Sequence, residues 1–224
     1  RKGGRQSSVV SDQSSVIRGE VERVLAPRGV VVDPSGHVSR KSVPADIDDW
    51  SHFLHSATGN PVGADSRTGP PRQLQWEDEP RGTRSHEKMS SVSVAVTAGG
   101  RVFSIQDEGP LASVCLPSKW FLTARDAFNG IVLWKQPIPV WHTQMFGLKS
   151  GPFQLARRLV AVGDRVYATL GLHAPVSELD ATTGEILRTY EGTEYTEEII
   201  HSNGTLLLMV NNKKEPIPYS GKSQ

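Results

Sequence analysis

Two short turns, Asp126-Ala-Phe-Asn-Gly130 and Asp180-Ala-Thr-Thr-Gly184, restrict this chain more than any other feature. They share one spacing and are offset by 54 residues at both the aspartate (126 to 180) and the glycine (130 to 184). The carboxylate can accept hydrogen bonds from backbone N–H groups just ahead of it, and the glycine can take the positive φ that closes such a turn. An apolar run beginning at Trp120 enters the first turn, and Ile131-Val-Leu-Trp134 leaves it. Each turn therefore predicts a hairpin.

A second type of hairpin alternates with these. Residues 92–105 turn at Ala98-Gly99-Gly100, residues 159–170 at Gly163-Asp164, and residues 199–210 at Asn203-Gly204. Alternating units of about four short strands are the signature of β-propeller blades. The predicted fold is mainly β: a partial propeller of about two to three four-stranded antiparallel blades, with a small N-terminal α/β remnant.

Ala124-x-Asp126-Ala-x-Asn-Gly130-x-x-x-Trp134 resembles the repeat of the pyrroloquinoline-quinone (PQQ)-like β-propeller family, A-x-D-x-x-T-G-x-x-x-W. Asn129 replaces the usual Thr, and Arg188 stands where the second copy would carry its tryptophan. Within that family, residues 46–210 look most like large bacterial propeller proteins in which a methyltransferase-like domain precedes the propeller. That narrower resemblance rests on Asp48-Asp-Trp50-Ser-His52-Phe-Leu-His55, Gly69-Pro-Pro-Arg-x-Leu-Gln-Trp76 and Leu148-Lys-Ser-Gly-Pro152. It implies a propeller fold and a periplasmic or secreted location, and it leaves the activity open.

A hydrophobic content of 37% suits a folded chain, and a net charge of +1 supplies no field to hold nucleic acid or an anionic membrane. No run approaches the roughly 20 apolar residues of a membrane helix. Cys115 is the only cysteine, so no internal disulfide can form, and it is read as inert rather than as a nucleophile. The chain begins without Met and ends on a polar tail in mid-pattern. Two and a half blades fall short of the usual ~4–8, so the expectation is a piece of a ring whose remaining blades lie beyond residue 224.

Three regions are expected. Residues 1–36 form an αβ remnant, in which Ile17, Val21, Val24 and Leu25 make a helical stripe after an N-cap at Ser14 or Ser15, and Val30 to Val32 make a strand. Glu20-x-x-Arg23-Val-Leu25-x-Pro27-x-Gly29 is similar to a late segment of Rossmann-like S-adenosylmethionine methyltransferases, whose glycine-rich cofactor loop is not among these residues. Residues 37–89 form a proline-rich connector packed along the propeller through Trp50, Phe53, Leu54 and Trp76, with a short helix over residues 46–55. Residues 90–224 form the blades. Val92, Val94 and Val96 alternate as in a strand covered on one face, residues 206–210 are apolar throughout as in a strand covered on both, and residues 136–152 are an irregular loop.

His52-x-x-His55, with Asp48, Asp49, His86 and Glu87 nearby in sequence, is the candidate metal constellation, because two histidines three apart on a helix share a face. The alternative is that both rings hydrogen-bond backbone while their apolar neighbours anchor the connector. Asp126, Gly130, Trp134, Asp180 and Gly184 are read as structural turn and packing residues, and Glu191, Glu194, Glu197 and Glu198 as a solvated loop. Quinoprotein dehydrogenases of the resembling family use adjacent disulfide-bonded cysteines and a calcium-ligand set, which one cysteine cannot reproduce. No catalytic residue and no cofactor are therefore assigned. The expected role is a non-catalytic binding or scaffolding platform whose loops meet a protein or small ligand, without nucleic acid. The alternatives are a PQQ-dependent oxidoreductase, a methyltransferase with its catalytic part upstream, or a periplasmic assembly propeller.

Overall fold

Every turn singled out in the sequence closes a hairpin. The computed structural model describes residues 17, 19–67, 69–78, 91–113, 115–142 and 153–212. Strands β3 (Val92–Ala98), β4 (Arg101–Asp107), β5 (Trp120–Asp126) and β6 (Val132–Ile138) form one four-stranded antiparallel sheet in sequence order. Strands β7 (Leu159–Val162), β8 (Arg165–Thr169), β9 (Val176–Asp180) and β10 (Ile186–Tyr190) form a second, and β11 (Thr196–Ser202) pairs with β12 (Thr205–Val210). The fold is mainly β, as expected. Both central residues of the Gly99-Gly100 and Asn203-Gly204 turns have positive φ, the conformation whose twist matches a two-residue hairpin.

The first strands of the sheets lie side by side, β3 against β7 and β7 against β11. Val94, Val96, Phe103, Ile105, Leu122, Leu159, Ala161, Val166 and Leu179 form one buried core drawn from both four-stranded sheets. A short helix, Phe153–Ala156, delivers Leu155 to that core just before β7. Val160, Tyr167, Val176 and Ile199 make a second cluster beneath β12.

The two aspartate turns have the same internal bonds. Asp126 Oδ1 accepts the N–H groups of Phe128 and Asn129, and Asp180 Oδ1 those of Thr182 and Thr183. Gly130 and Gly184 donate back to the aspartate carbonyls at 2.9 and 2.8 Å. Ala127 and Ala181 donate to Gly100 and Asp164, matching positions of the neighbouring hairpin turns.

Several expectations are corrected. Residues 46–55 are not helical: a tight turn joins His52 and His55 in an isolated antiparallel bridge, and His55 has φ of 70°. Three bonds with the strands, described below, draw this segment out. Residues 206–210 are covered on one face alone, with Leu207 55% and Met209 50% exposed, because the second core cluster reaches only their inner side. Residues 136–138, expected in a loop, continue β6. Glu197 and Glu198 sit on β11, not in a loop.

The chain divides into two compact units, Arg1–Ile47 and Asp48–Gln224. In the first, residues 19–24 are helical, and β1 (Val30–Val32) pairs antiparallel with β2 (Val38–Arg40), which falls within the expected connector. The helical stripe is covered only in part: Ile17 and Val24 are exposed, whereas Val21 and Leu25 are half-buried. Asp33 caps the β1–β2 turn by accepting from Ser35 and His37. Ser14, Ser15, His86, Glu87, residues 143–152 and the tail from 213 lie outside the described residues. Among the described residues no helix is long and apolar enough to cross a membrane.

Candidate functional site

A sheet's first strand has one edge without a strand partner, and N–H groups on that edge need acceptors. Three such edges converge here, and consecutive residues of one segment satisfy them. Thr97 of β3 donates to the Trp50 carbonyl at 2.7 Å, and Ala161 of β7 donates to the Ser51 carbonyl at 3.0 Å. His201 of β11 donates to Nε2 of His52 at 3.1 Å. Thr97, Ala161 and His201 occupy one register, each two residues before its hairpin turn. Residues 48–55 thus form a strap stitched to three successive sheets.

The strap is held at its start as well. Trp50 N–H donates to Thr97 Oγ1 at 2.8 Å, and the Asp49 carboxylate accepts the Gly99 N–H at 3.2 and 3.1 Å. Trp50 Nε1 donates to the Phe53 carbonyl, and its ring meets that of His55 edge-on with centroids 5.1 Å apart. A typical hydrogen bond contributes about 1 kcal/mol, but an orphaned buried donor costs about 1–3 kcal/mol. The strap's main effect is therefore to prevent three orphaned edge donors.

The geometry fixes the proton on His52. Because a backbone N–H points at Nε2, that atom carries a lone pair, and the proton sits on Nδ1, which lies 2.7 Å from Ser51 Oγ. Ser51 Oγ in turn donates to the His55 carbonyl at 3.2 Å. Burial pushes the His52 pKa down to about 4, with the neighbouring His201 and His55 rings adding to the shift. His55 takes a separate partner, Asp48, at 2.6 Å. The Ala64 N–H, with His55 second, holds the Asp48 carboxyl below its ordinary value.

The two histidines predicted as metal ligands are thus neighbours committed to different partners. Asp48 reaches His55, whereas Asp49 reaches Gly99. Among the described residues no group of three or more His, Cys, Asp or Glu side chains is arranged to hold a metal.

Beside the strap lies a pocket of about 340 Å³. His52, Phe53, Leu54, Ser56 and Thr58 line one wall, and Arg157, Val160, Glu198 and Ile199 line the other. Arg157 Nη1 donates to both oxygens of Glu198 at 3.0 Å, and the Ile199 N–H donates to the Arg157 carbonyl. The arrangement offers an ion pair and two hydroxyls among apolar walls, which suits reversible binding. Cys115 is exposed in the β4–β5 loop.

The remaining predicted residues join the sheets to what precedes them. Trp134 Nε1 donates to the Ala181 carbonyl at 3.1 Å, and the ring lies over Gly184, where a Cβ would stand 2.5 Å from it. Trp76 treats the first turn in the same way: Nε1 donates to the Ala127 carbonyl at 2.9 Å, and a Cβ on Gly130 would stand 2.6 Å from the ring. A glutamine supports each contact, Gln75 on Phe128 and Gln136 on Gly184. Next to Trp76, Asp78 pairs with the buried Arg125. Trp76, expected as a connector anchor and as part of the Gly69-to-Trp76 run, thus acts as a turn-packing residue like Trp134. Its signal was present in Asp65-Ser-Arg-Thr68-Gly69, a further Asp-x-x-Thr-Gly run whose Asp65 Oδ1 accepts the Arg67 N–H. Comparison with protein-family models and with curated proteins found no match for this chain.

Proposed function

We propose that the chain is part of a β-propeller of the PQQ-like repeat kind and serves as a non-catalytic binding platform. The observation that carries this reading is the common register of Thr97, Ala161 and His201 on the strap, three sheets presenting the same position to consecutive residues. Matching tryptophan–glycine contacts at Gly130 and Gly184 support equal placement of successive sheets. Sheets stitched in this way are rigid, and rigid sheets present loops and pockets at fixed positions. Fold alone dictates no chemistry. The strap pocket, where Arg157 pairs with Glu198 and Ser56 with Thr58, is where such a platform would take its partner.

A photo-crosslinking residue in place of Thr58, at the pocket wall, tests this in cells that make the protein. The reading expects one discrete adduct that disappears when Glu198→Arg reverses the charge of the opposite wall. Quinone-dependent dye reduction by the purified full chain, requiring added PQQ and Ca²⁺, would overturn it.

A further inference from the structure

The strap's three contacts differ in one chemical respect. The bonds to β3 and β7 end on the carbonyls of Trp50 and Ser51, which do not titrate in water. The bond to β11 ends on a ring nitrogen that does. A proton on Nε2 would set two N–H donors 3.1 Å apart, converting attraction into repulsion in a site where His52 is only 7% exposed.

The charged and titratable neighbours work in the same direction. From β11 comes the His201 ring, stacked on Tyr167 of β8 with centroids 5.5 Å apart. Across the pocket stand Arg157 and Glu198, which neutralise each other at 3.0 Å. On the strap itself, His55 is bound to Asp48. The carboxylates of Asp48 and Glu198 already have partners in His55 and Arg157. Charged His52 is therefore better accommodated away from β11. The pocket supplies space for that movement, since residues 52–54 and 56–59 form one of its walls.

We propose that the strap is an acid-released latch: protonation of His52 frees its far end from β11 and opens the pocket, while Trp50 and Ser51 hold β3 and β7. The hinge then falls between Ser51 and His52. The latch goes beyond the platform reading, because it holds for the strap whether or not a partner binds.

Amide hydrogen exchange on the full chain at pH 7, 5.5 and 4, corrected for intrinsic rates, provides the test. Protection of the His201 amide and of residues 52–59 should fall about tenfold or more by pH 4, with Thr97, Ala161 and strands β4 and β5 still protected. In His52→Gln, whose side-chain oxygen can accept the same N–H without titrating, this loss should vanish. Equal loss in the variant, or simultaneous loss in β4 and β5, would overturn the latch. An NMR titration of the unmodified His52 ring gives a reading independent of the variant: its midpoint should coincide with the exchange step, and titration without loss of protection would also overturn it.

Discussion

The backbone N–H of His201 and Nε2 of His52 meet at 3.1 Å across 149 residues of chain. The contact joins a segment without strand or helix to a strand near the end of the described chain, and it works only while His52 is neutral. Stability and protonation are therefore linked at one atom.

Global stability should reflect this. The His52 pKa is about 4 in the folded chain against about 6.5 unfolded, so the unfolded state binds the proton more tightly. The contribution is fully present above pH 6.5, declines as pH falls through that value, and is gone below about 4. Denaturant titrations at pH 7 and pH 4 should show about 2–3 kcal/mol lost through this group, a loss that His52→Gln reduces. An identical pH dependence in both proteins would contradict the assignment.

The tryptophan–glycine contact between sheets can be measured with a double-mutant cycle. Gly184→Ala forces a side chain to φ of 75° and into the Trp134 ring, and should cost about 2–4 kcal/mol. In a Trp134→Ala background the clash is absent, and the same change should cost only the conformational part, about 1–2 kcal/mol. Simple additivity would show that the two residues do not touch.

Trp76→Ala should cost about 2 kcal/mol, less than a fully buried tryptophan, because its ring is half-buried against Gly130. The accompanying rise in amide exchange should appear at residues 126–131 and spare residues 180–184. Uniform loosening of both turns would show that Trp76 does not serve the first turn alone.

The Arg157–Glu198 pair is partly open to solvent, with side chains 31% and 25% exposed. Glu198→Gln should cost about 1 kcal/mol or less, and salt should shrink the difference. A loss of several kcal/mol, insensitive to salt, would mean that the pair is a buried structural element instead of a pocket wall.

The hairpins were legible in the sequence because their turns are local chemistry. Gly99-Gly100 and Asn203-Gly204 supply positive φ, and Asp126 and Asp180 bond N–H groups two and three residues ahead. The strap was not legible, since Trp50, Ser51 and His52 acquire their roles from strand edges that meet only in the fold. The same cause misled the helix expectation for residues 46–55: the spacing of Ile47, Trp50 and Leu54 fits a helical face, but edge donors at Thr97 and Ala161 draw the segment into an irregular path. Residues 206–210 show the opposite limit, because an all-apolar strand does not reveal which of its faces is covered. Trp76 was hidden by spacing, standing seven residues after Gly69 where Trp134 stands four after Gly130.

Scalar couplings transmitted through hydrogen bonds, measured on perdeuterated full chain, test the strap most directly. Correlations from the Thr97 amide to the Trp50 carbonyl and from the Ala161 amide to the Ser51 carbonyl should both be present. Their absence, together with rapid solvent exchange of both amides, would show that the strap does not join the sheets.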